Sequence, residues 1–456
     1  MHPPASSSMS IRFVISLVQD AVHPRLIFNQ FSESAMSKER NSLGIGNDAA
    51  TRDDAAHSPS DAAAFAAANA CGNDARADFP IIVHCHLRWD FVWQRPQQIF
   101  SRLAKDHRIL FIEDPVIADG EPRLAIDEPY PNLVRVIPQI PRSMAVDADL
   151  DAEIFLPQIR QALREHPLLA GKFVNAVQWF YSPMPAPGYM GQLGAVGVVY
   201  DCMDELANFR FAPPDIGDRE RLVMANAGVV FTGGYQLFES KSKHHGNVHF
   251  YGCGVDVGHY GKARDTTTEI PAAVAATPGP RFGYFGVIDE RLDYELIAAL
   301  AERFPEASVI MAGPVVKVDP EELPKHSNIH WLGQQRYEDL PSIVKGFDVC
   351  LMPFALNEAT RYINPTKTLE YMAAGKPIVS TAVADVVRNF TPIVSVAYSQ
   401  DEFIDAVERA WRDPDAALLA QGIERAEGAS WDATVESMRC DVQQALWADV
   451  SAQAAA

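Results

Sequence analysis

From Phe79 onward the chain repeats one rhythm: a short, wholly apolar run, then a longer stretch whose apolar positions recur at helical spacing. Ile81 to His84 reads as a buried strand; Pro96, Ile99, Phe100 and Leu103 mark one stripe of a helix; Ile109 to Ile112 reads as the next strand. A strand that is apolar at successive positions must be covered on both faces. The rhythm therefore predicts an α/β fold with parallel sheets between helices, in which ligands bind at the carboxyl ends of the strands. It breaks over an Ala/Thr/Pro-rich segment, Asp265 to Pro280, and resumes with Arg281 to Val287, Leu292 to Phe304 and Ala307 to Ala312. Two Rossmann-like domains facing across a cleft are expected, at 79–263 and 281–430, joined by a linker at 264–280. A last amphipathic stretch, 431–448, carries Val435, Met438, Val442 and Leu446 on one face and is expected to be a helix.

The 456 residues suffice for two domains plus extra sequence. The surplus lies at the start, where residues 1–78 are rich in Ala, Ser, Asp and Asn and are expected to form a disordered extension. Its one apolar run, Ile11 to Val18, is shorter than a membrane span and is followed by Asp20, so neither a signal peptide nor an anchor is expected. A formal net charge of −20 argues against a nucleic-acid partner and against a broad electrostatic hold on an anionic membrane. The six cysteines are scattered without CxxC pairs, as suits reduced thiols in a cytosolic protein. His84 and His86 flank Cys85, but adjacent residues on a strand point opposite ways and no second ligand cluster has the spacing of a zinc site, so no metal site is expected.

Chemistry concentrates between Asn357 and Thr381, NEATRYINPTKTLEYMAAGKPIVST. Asn364 can cap a helix, Pro365 suits its first turn, and Gly375 with Pro377 ends it. Helical spacing sets Leu369, Met372 and Ala373 on one face and Lys367, Glu370, Tyr371 and Ala374 on the other. A helix start beside Lys367 attracts phosphate, and Glu370 one turn deeper can accept hydrogen bonds from a ribose diol. Together they could hold a nucleoside diphosphate. On the residues alone a second reading stands beside it, a surface helix with Lys367 and Glu370 as a solvated i,i+3 pair.

In the first domain the loop from Cys85 to Arg95 has no glycine, which argues against a GxGxxG dinucleotide site. Its Trp89, Asp90, Trp93 and Arg95 form either an acceptor-sugar site, through stacking and charge, or ordinary loop packing. Val196 to Tyr200 reads as a strand that ends in acids; Asp204 and Glu205 are candidates for gripping acceptor hydroxyls, with a capping role for Asp204 as the alternative. Asp147, Asp149 and Asp151 suggest a metal-binding DxD, but they precede the helical stripe Ile154, Leu156, Ile159 and Leu163 and are explained by capping and the helix dipole.

The stretch PTKTLEYMAAGKPIVST resembles the signature of retaining glycosyltransferases of the GT-B fold, family 4, in which a glutamate binds the donor ribose; Glu370 is the match. Trp89 to Phe100, WDFVWQRPQQIF, resembles the opening of a bacterial subgroup linked to cell-surface, teichuronic-acid-type polysaccharides. The resemblance implies a donor site built from Glu370, Asn364, Thr366, Tyr362, Gly286 and Gly333. It implies catalytic roles for Lys367, Arg291 and Asp90, and an acceptor site at Trp89, Trp93, Arg95, Asp204 and Glu205. The family often places a second glutamate where this chain has Tyr362, and an arginine and a lysine where Arg291 is here the only nearby cation, beside Asp289 and Glu290. A GT-B enzyme would need no cofactor beyond its sugar-nucleotide donor and no metal. Its acceptor would be a glycan or a lipid-linked sugar, and its place the cytoplasm, with transient peripheral contact at the inner face of the cell membrane. A nucleotide-sugar epimerase of the same shape and a non-catalytic GT-B subunit of a polysaccharide assembly complex are the alternatives.

Overall fold

The computed structural model describes residues 79–144, 150–209 and 212–454. The extension at 1–78 and two of the three acids of the DxD reading, Asp147 and Asp149, lie outside the described residues. The first domain has nine strands among them: β1 (Ile81–Cys85), β2 (Ile109–Glu113), β3 (Val116–Ile117), β4 (Arg123–Tyr130), β5 (Leu133–Ile140), β6 (Val177–Phe180), β7 (Gly197–Cys202), β8 (Val229–Thr232) and β9 (Val248–Phe250). Their order is β3-β5-β2-β1-β6-β7-β8-β9, all parallel, with β4 antiparallel on β5. The β4–β5 hairpin was not legible in the apolar rhythm, because β4 is half-exposed and turns back at Asn132, a left-handed residue with φ 62°.

The second sheet runs β12-β11-β10-β13-β14-β15, with β10 (Arg281–Phe285), β11 (Ser308–Ala312), β12 (Ile329–Gly333), β13 (Val349–Met352), β14 (Ile378–Thr381) and β15 (Ser395–Ala397), all parallel. The strand order reverses between β1 and β6 in one sheet and between β10 and β13 in the other. Such reversals open a crevice beyond the strand ends. The loops that follow β1, β10 and β13 all reach the cleft between the domains, so topology sets which side chains can meet there.

Helix α1 (Arg95–Leu103) covers the first sheet beside β1 and β2, burying Ile99, Phe100 and Leu103. Helix α2 (Tyr294–Arg303), capped by the Asp293 carboxylate on the Leu296 N–H, buries Leu296, Ile297 and Leu300 in the second core. Helix α3 (Lys367–Ala373) lies between β13 and β14. Helix α4 (Trp431–Ala454) crosses back: Trp431, Val435, Met438 and Val442 pack into the core of the first domain with Ile81, Val83 and Phe100. Leu446 fills the space above Gly197 and Gly228, where any Cβ would collide with it. Within the segment expected as the linker, Val274 is fully buried in the second core and packs beneath Gly346.

Candidate functional site

The two sets of strand ends enclose a cavity of about 870 Å³. Its floor in the second domain is made by backbone. Gly286, after β10, has φ 140° and Gly313, after β11, has φ 155°, conformations that L side chains rarely adopt. A Cβ on Gly313 would strike the Gly286 carbonyl, and one on Gly286 would strike the Lys367 side chain. The glycines thus let two strand ends close up and leave a channel through which Lys367 reaches the cavity.

Helix α3 starts at Lys367, with Thr366 as its N-cap residue and the Thr368 N–H on the Pro365 carbonyl at 3.2 Å. Asn364 does not cap it. Its amide crosses the cleft and donates to the Gly233 carbonyl at 3.0 Å, while its backbone carbonyl accepts from the Cys253 thiol at 3.3 Å, so Asn364 ties the domains together. Lys367 lies over the rings of Tyr284 and Phe285, 5.6 and 5.8 Å from their centres, and forms no ion pair with Glu370. That removes the reading of α3 as a solvated surface helix. Burial holds the Lys367 ammonium below the usual lysine range, an effect the Glu370 charge opposes. Glu370, one turn on, is pushed above the usual carboxylate range by its own burial, with Lys367 pulling the other way. The Tyr260 hydroxyl lies beside Glu370 without a hydrogen bond of full geometry. Tyr371 and Ala374 do not share the cleft face as expected. Both are buried, and the Tyr371 hydroxyl accepts from the Phe285 N–H at 3.1 Å, because α3 is covered on nearly every side.

Arg291 lines the cavity but is already paired. Asp289 accepts from its Nε at 2.9 Å and from its Nη2 at 2.8 Å, and the loop is pinned by the Ala355 N–H on the Arg291 carbonyl. Asp289 is therefore the partner of Arg291, while Glu290 pairs with Lys317 at 3.6 Å. Asp204 faces the same end of the cavity from the first domain. Burial lifts its carboxyl to about 6, with Arg291 and Lys317 pulling it down and Asp289 pushing it up.

Several expected site residues have other duties. Arg95 lines the cavity, but it is buried and donates to buried Asp201 at 3.0 Å and to the Tyr251 carbonyl at 2.8 Å, so its charge is already paired. Glu205 pairs with Lys241 at 2.8 Å, outside the cavity. Tyr362 packs against the first core beneath the Arg361 guanidinium, and neither lines the cavity. Asp90 stands at the cavity mouth but is ion-paired to Arg135, which also binds Asp127, so it is no free base. Trp89 and Trp93 both line the cavity, Trp89 buried against Phe111 at 5.3 Å and Trp93 half-exposed. Thr366 and Gly286 line it; Gly333, with φ 68°, turns the chain out of β12 into the lining loop 334–338. His86 is buried and held neutral, its ring pushed down to about 4. Asp151 is buried in the turn before the Leu156–Glu165 helix.

The sequence reading passed over Tyr260 and Tyr337, which wall the cavity between Glu370 and Trp93. Tyr337 had a signal, since it follows a glycine at the carboxyl end of a strand. Among the described residues no group of three or more His, Cys, Asp or Glu is placed to hold a metal ion, and no helix is long and apolar enough to cross a membrane.

Residues 280–413 match the family described as glycosyl transferases group 1. A Bacillus subtilis protein named as a teichuronic acid biosynthesis glycosyltransferase is 27% identical over 128 residues, 27% of this chain. The match spans 32% of that relative's length. In three dimensions the chain is similar to sucrose-phosphate synthase of Thermosynechococcus elongatus, with TM-score 0.61 and 15% identity over 81% of this chain and 100% of the other. It is also similar to the UDP-forming trehalose-phosphate synthase of Burkholderia vietnamiensis, with TM-score 0.58 and 12% identity over 80% and 97%. The Escherichia coli trehalose-6-phosphate structure bound with UDP-2-fluoro glucose gives TM-score 0.54 and 14% identity over 80% and 99%. At these identities the solved structures establish the fold, which is GT-B.

Proposed function

We propose, from the premise that residues 280–413 are a glycosyl transferases group 1 domain in a GT-B chain, that the protein moves a sugar from a nucleoside-diphosphate donor to a hydroxyl of a glycan or lipid-linked acceptor. One observation carries this reading. Lys367 brings an ammonium into the interdomain cavity across a glycine floor, and no carboxylate there forms an ion pair with it. A half-buried ammonium whose nearest carboxylate, Glu370, is not in ion-pair contact with it remains costly, and a diphosphate would relieve that cost. Arg291, held in place by Asp289, would meet the same charge from the sugar side. Glu370 would accept the ribose hydroxyls.

The chemistry asks for a stabilised leaving group. As the bond between the sugar and the diphosphate breaks, charge grows on the bridging oxygen, and the fixed cations Lys367 and Arg291 face it without having to reorganise. Retention of configuration and independence from metal belong to the same reading. So does a role in cell-surface polysaccharide synthesis, which the name of the Bacillus subtilis relative supports.

The test is a panel of sugar nucleotides. One of them should raise the melting temperature of the purified chain and release its nucleoside diphosphate when an acceptor is supplied, with EDTA present throughout. Binding to none would overturn the reading. A new sugar nucleotide formed without acceptor would mean an epimerase.

A further inference from the structure

The Tyr235 N–H lies in the first turn of the helix Tyr235–Lys241 and has no acceptor within that helix. The second domain supplies one. Asp385, on the helix Ala384–Phe390 and only 1% exposed, accepts from the Tyr235 N–H at 2.7 Å. The Arg388 guanidinium of the same helix lies 3.4 Å from the centre of the Tyr235 ring, a cation over an aromatic face of the other domain. Next to this contact the Asn364 amide donates to the Gly233 carbonyl at 3.0 Å. Gly234 has no room for a side chain, since a Cβ there would stand 2.9 Å from the Tyr362 carbonyl oxygen and 3.0 Å from the Asp385 carboxylate.

These contacts sit between the two sides of the chemistry. Asn364 stands three residues before Lys367 and is joined to it through Pro365, whose fixed φ makes the link stiff. On the other side the Gly233 N–H donates to the Cys202 carbonyl at 3.0 Å, and a Cβ on Gly233 would lie 3.3 Å from the Met203 Cα, so this glycine is seated on the segment that leads into Asp204. We propose that Asp385 and Asn364 are positioning residues for sugar transfer: they clasp residues 233–235 of the first domain onto the second, and so fix how far Asp204 stands from Lys367 and Arg291. Asp385 does not line the cavity and acts through Tyr235 alone. The inference rests on the donor reading above, with Lys367 at the diphosphate.

The experiment places a fluorophore pair at exposed Val174 and Tyr398, one in each domain, of the full chain and compares wild type with Asp385→Ala and Asp385→Asn. Without nucleotide, Asp385→Ala should lengthen and broaden the interdomain distance, while Asp385→Asn, whose amide oxygen still accepts from the Tyr235 N–H, should stay near wild type. UDP, GDP and ADP should bind all three proteins alike, because Lys367 and Glu370 both belong to the second domain. Turnover of the sugar nucleotide that wild type uses should fall about tenfold to a hundredfold in Asp385→Ala, as a misplacement of about 1 Å can bring, and mostly return in Asp385→Asn. An unchanged distance in Asp385→Ala, turnover that survives the opening, or affinity lost as steeply as turnover would overturn the inference, as would equal losses in the two variants. If Asp385→Ala fails to melt as a folded protein, Gly234→Ala, which wedges a methyl group against the Tyr362 carbonyl at an ordinary φ of −130°, takes its place in the distance and turnover comparisons. A wild-type chain that binds none of the three diphosphates would instead sink the donor reading, and the distances would still decide the clasp.

Discussion

Lys367 and Glu370 stand one turn apart, and burial disfavours the charge of each. Neither can shed that cost on the other by direct contact, so each is suited to a ligand that supplies the missing partner. Glu370→Ala should weaken binding of the donor's nucleoside diphosphate about tenfold to a hundredfold by titration calorimetry, since a hydrogen bond to a charged group is worth about 1.5–3 kcal/mol. The melting temperature should not fall, because the substitution removes a buried charge. Asp204 offers a pH test. Its folded pKa of about 6 lies above the ordinary carboxylate value, so the folded chain holds that proton more tightly than the unfolded one. Stability from this group is therefore lost as pH rises through that window, and the cost persists above it. Asp204→Asn should melt higher than wild type at pH 8, and the gap should close below pH 4, near the unfolded pKa, while acceptor turnover falls at both ends of the range. An Asp204→Asn variant that melted lower than wild type at pH 8, with the deficit closing on acidification, would show that Asp204 is a stabilising ionised group. The ion-pair partners of Arg95, Glu205 and Asp90 were not legible in the sequence for a shared reason: they lie far along the chain, that of Arg95 106 residues away.

At the scale of elements, α3 and the ends of β10 and β11 act as one piece. The spacing that joins Lys367 to Glu370 is local to seven residues, which is why the sequence revealed it. The glycine floor was only half legible. Gly286 could be named from its place after a strand, but its reason, clearance for a side chain from α3, needs the packing. Tyr371 shows the same limit from the other side, since helical spacing alone cannot tell that a second layer covers the supposed cleft face. Gly286→Ala forces a Cβ into the Lys367 stem at a left-handed φ, and should destabilise the chain by about 1–3 kcal/mol. Its turnover should fall toward that of Lys367→Ala, and the double variant should add little, because both changes remove one interaction. Fully additive losses would separate the glycine from the lysine.

The described residues form two largely parallel α/β sheets strapped by α4, and the alternation of apolar runs sufficed to anticipate both sheets, though not the β4–β5 hairpin. Trp431, 2% exposed, begins the strap where Gly254 leaves no room for a Cβ. Trp431→Ala should cost about 3–5 kcal/mol and lower the melting temperature, with donor affinity retained below the transition. Loss of donor affinity at full folding would mean that α4 also sets the closure of the cleft. Closure matters because the lysine and the glutamate come from one domain and Asp204 from the other. The decisive measurement is steady-state kinetics of Lys367→Ala with the donor identified from the sugar-nucleotide panel. If Lys367 neutralises charge as it grows on the departing diphosphate, kcat should fall roughly a hundredfold to a thousandfold, about 2.7–4 kcal/mol, with a smaller rise in donor KM. Lys367→Arg should recover only part of the loss, because a planar fork does not replace a point charge in a channel shaped by Gly286. Near-normal turnover in Lys367→Ala would contradict the mechanism at its centre.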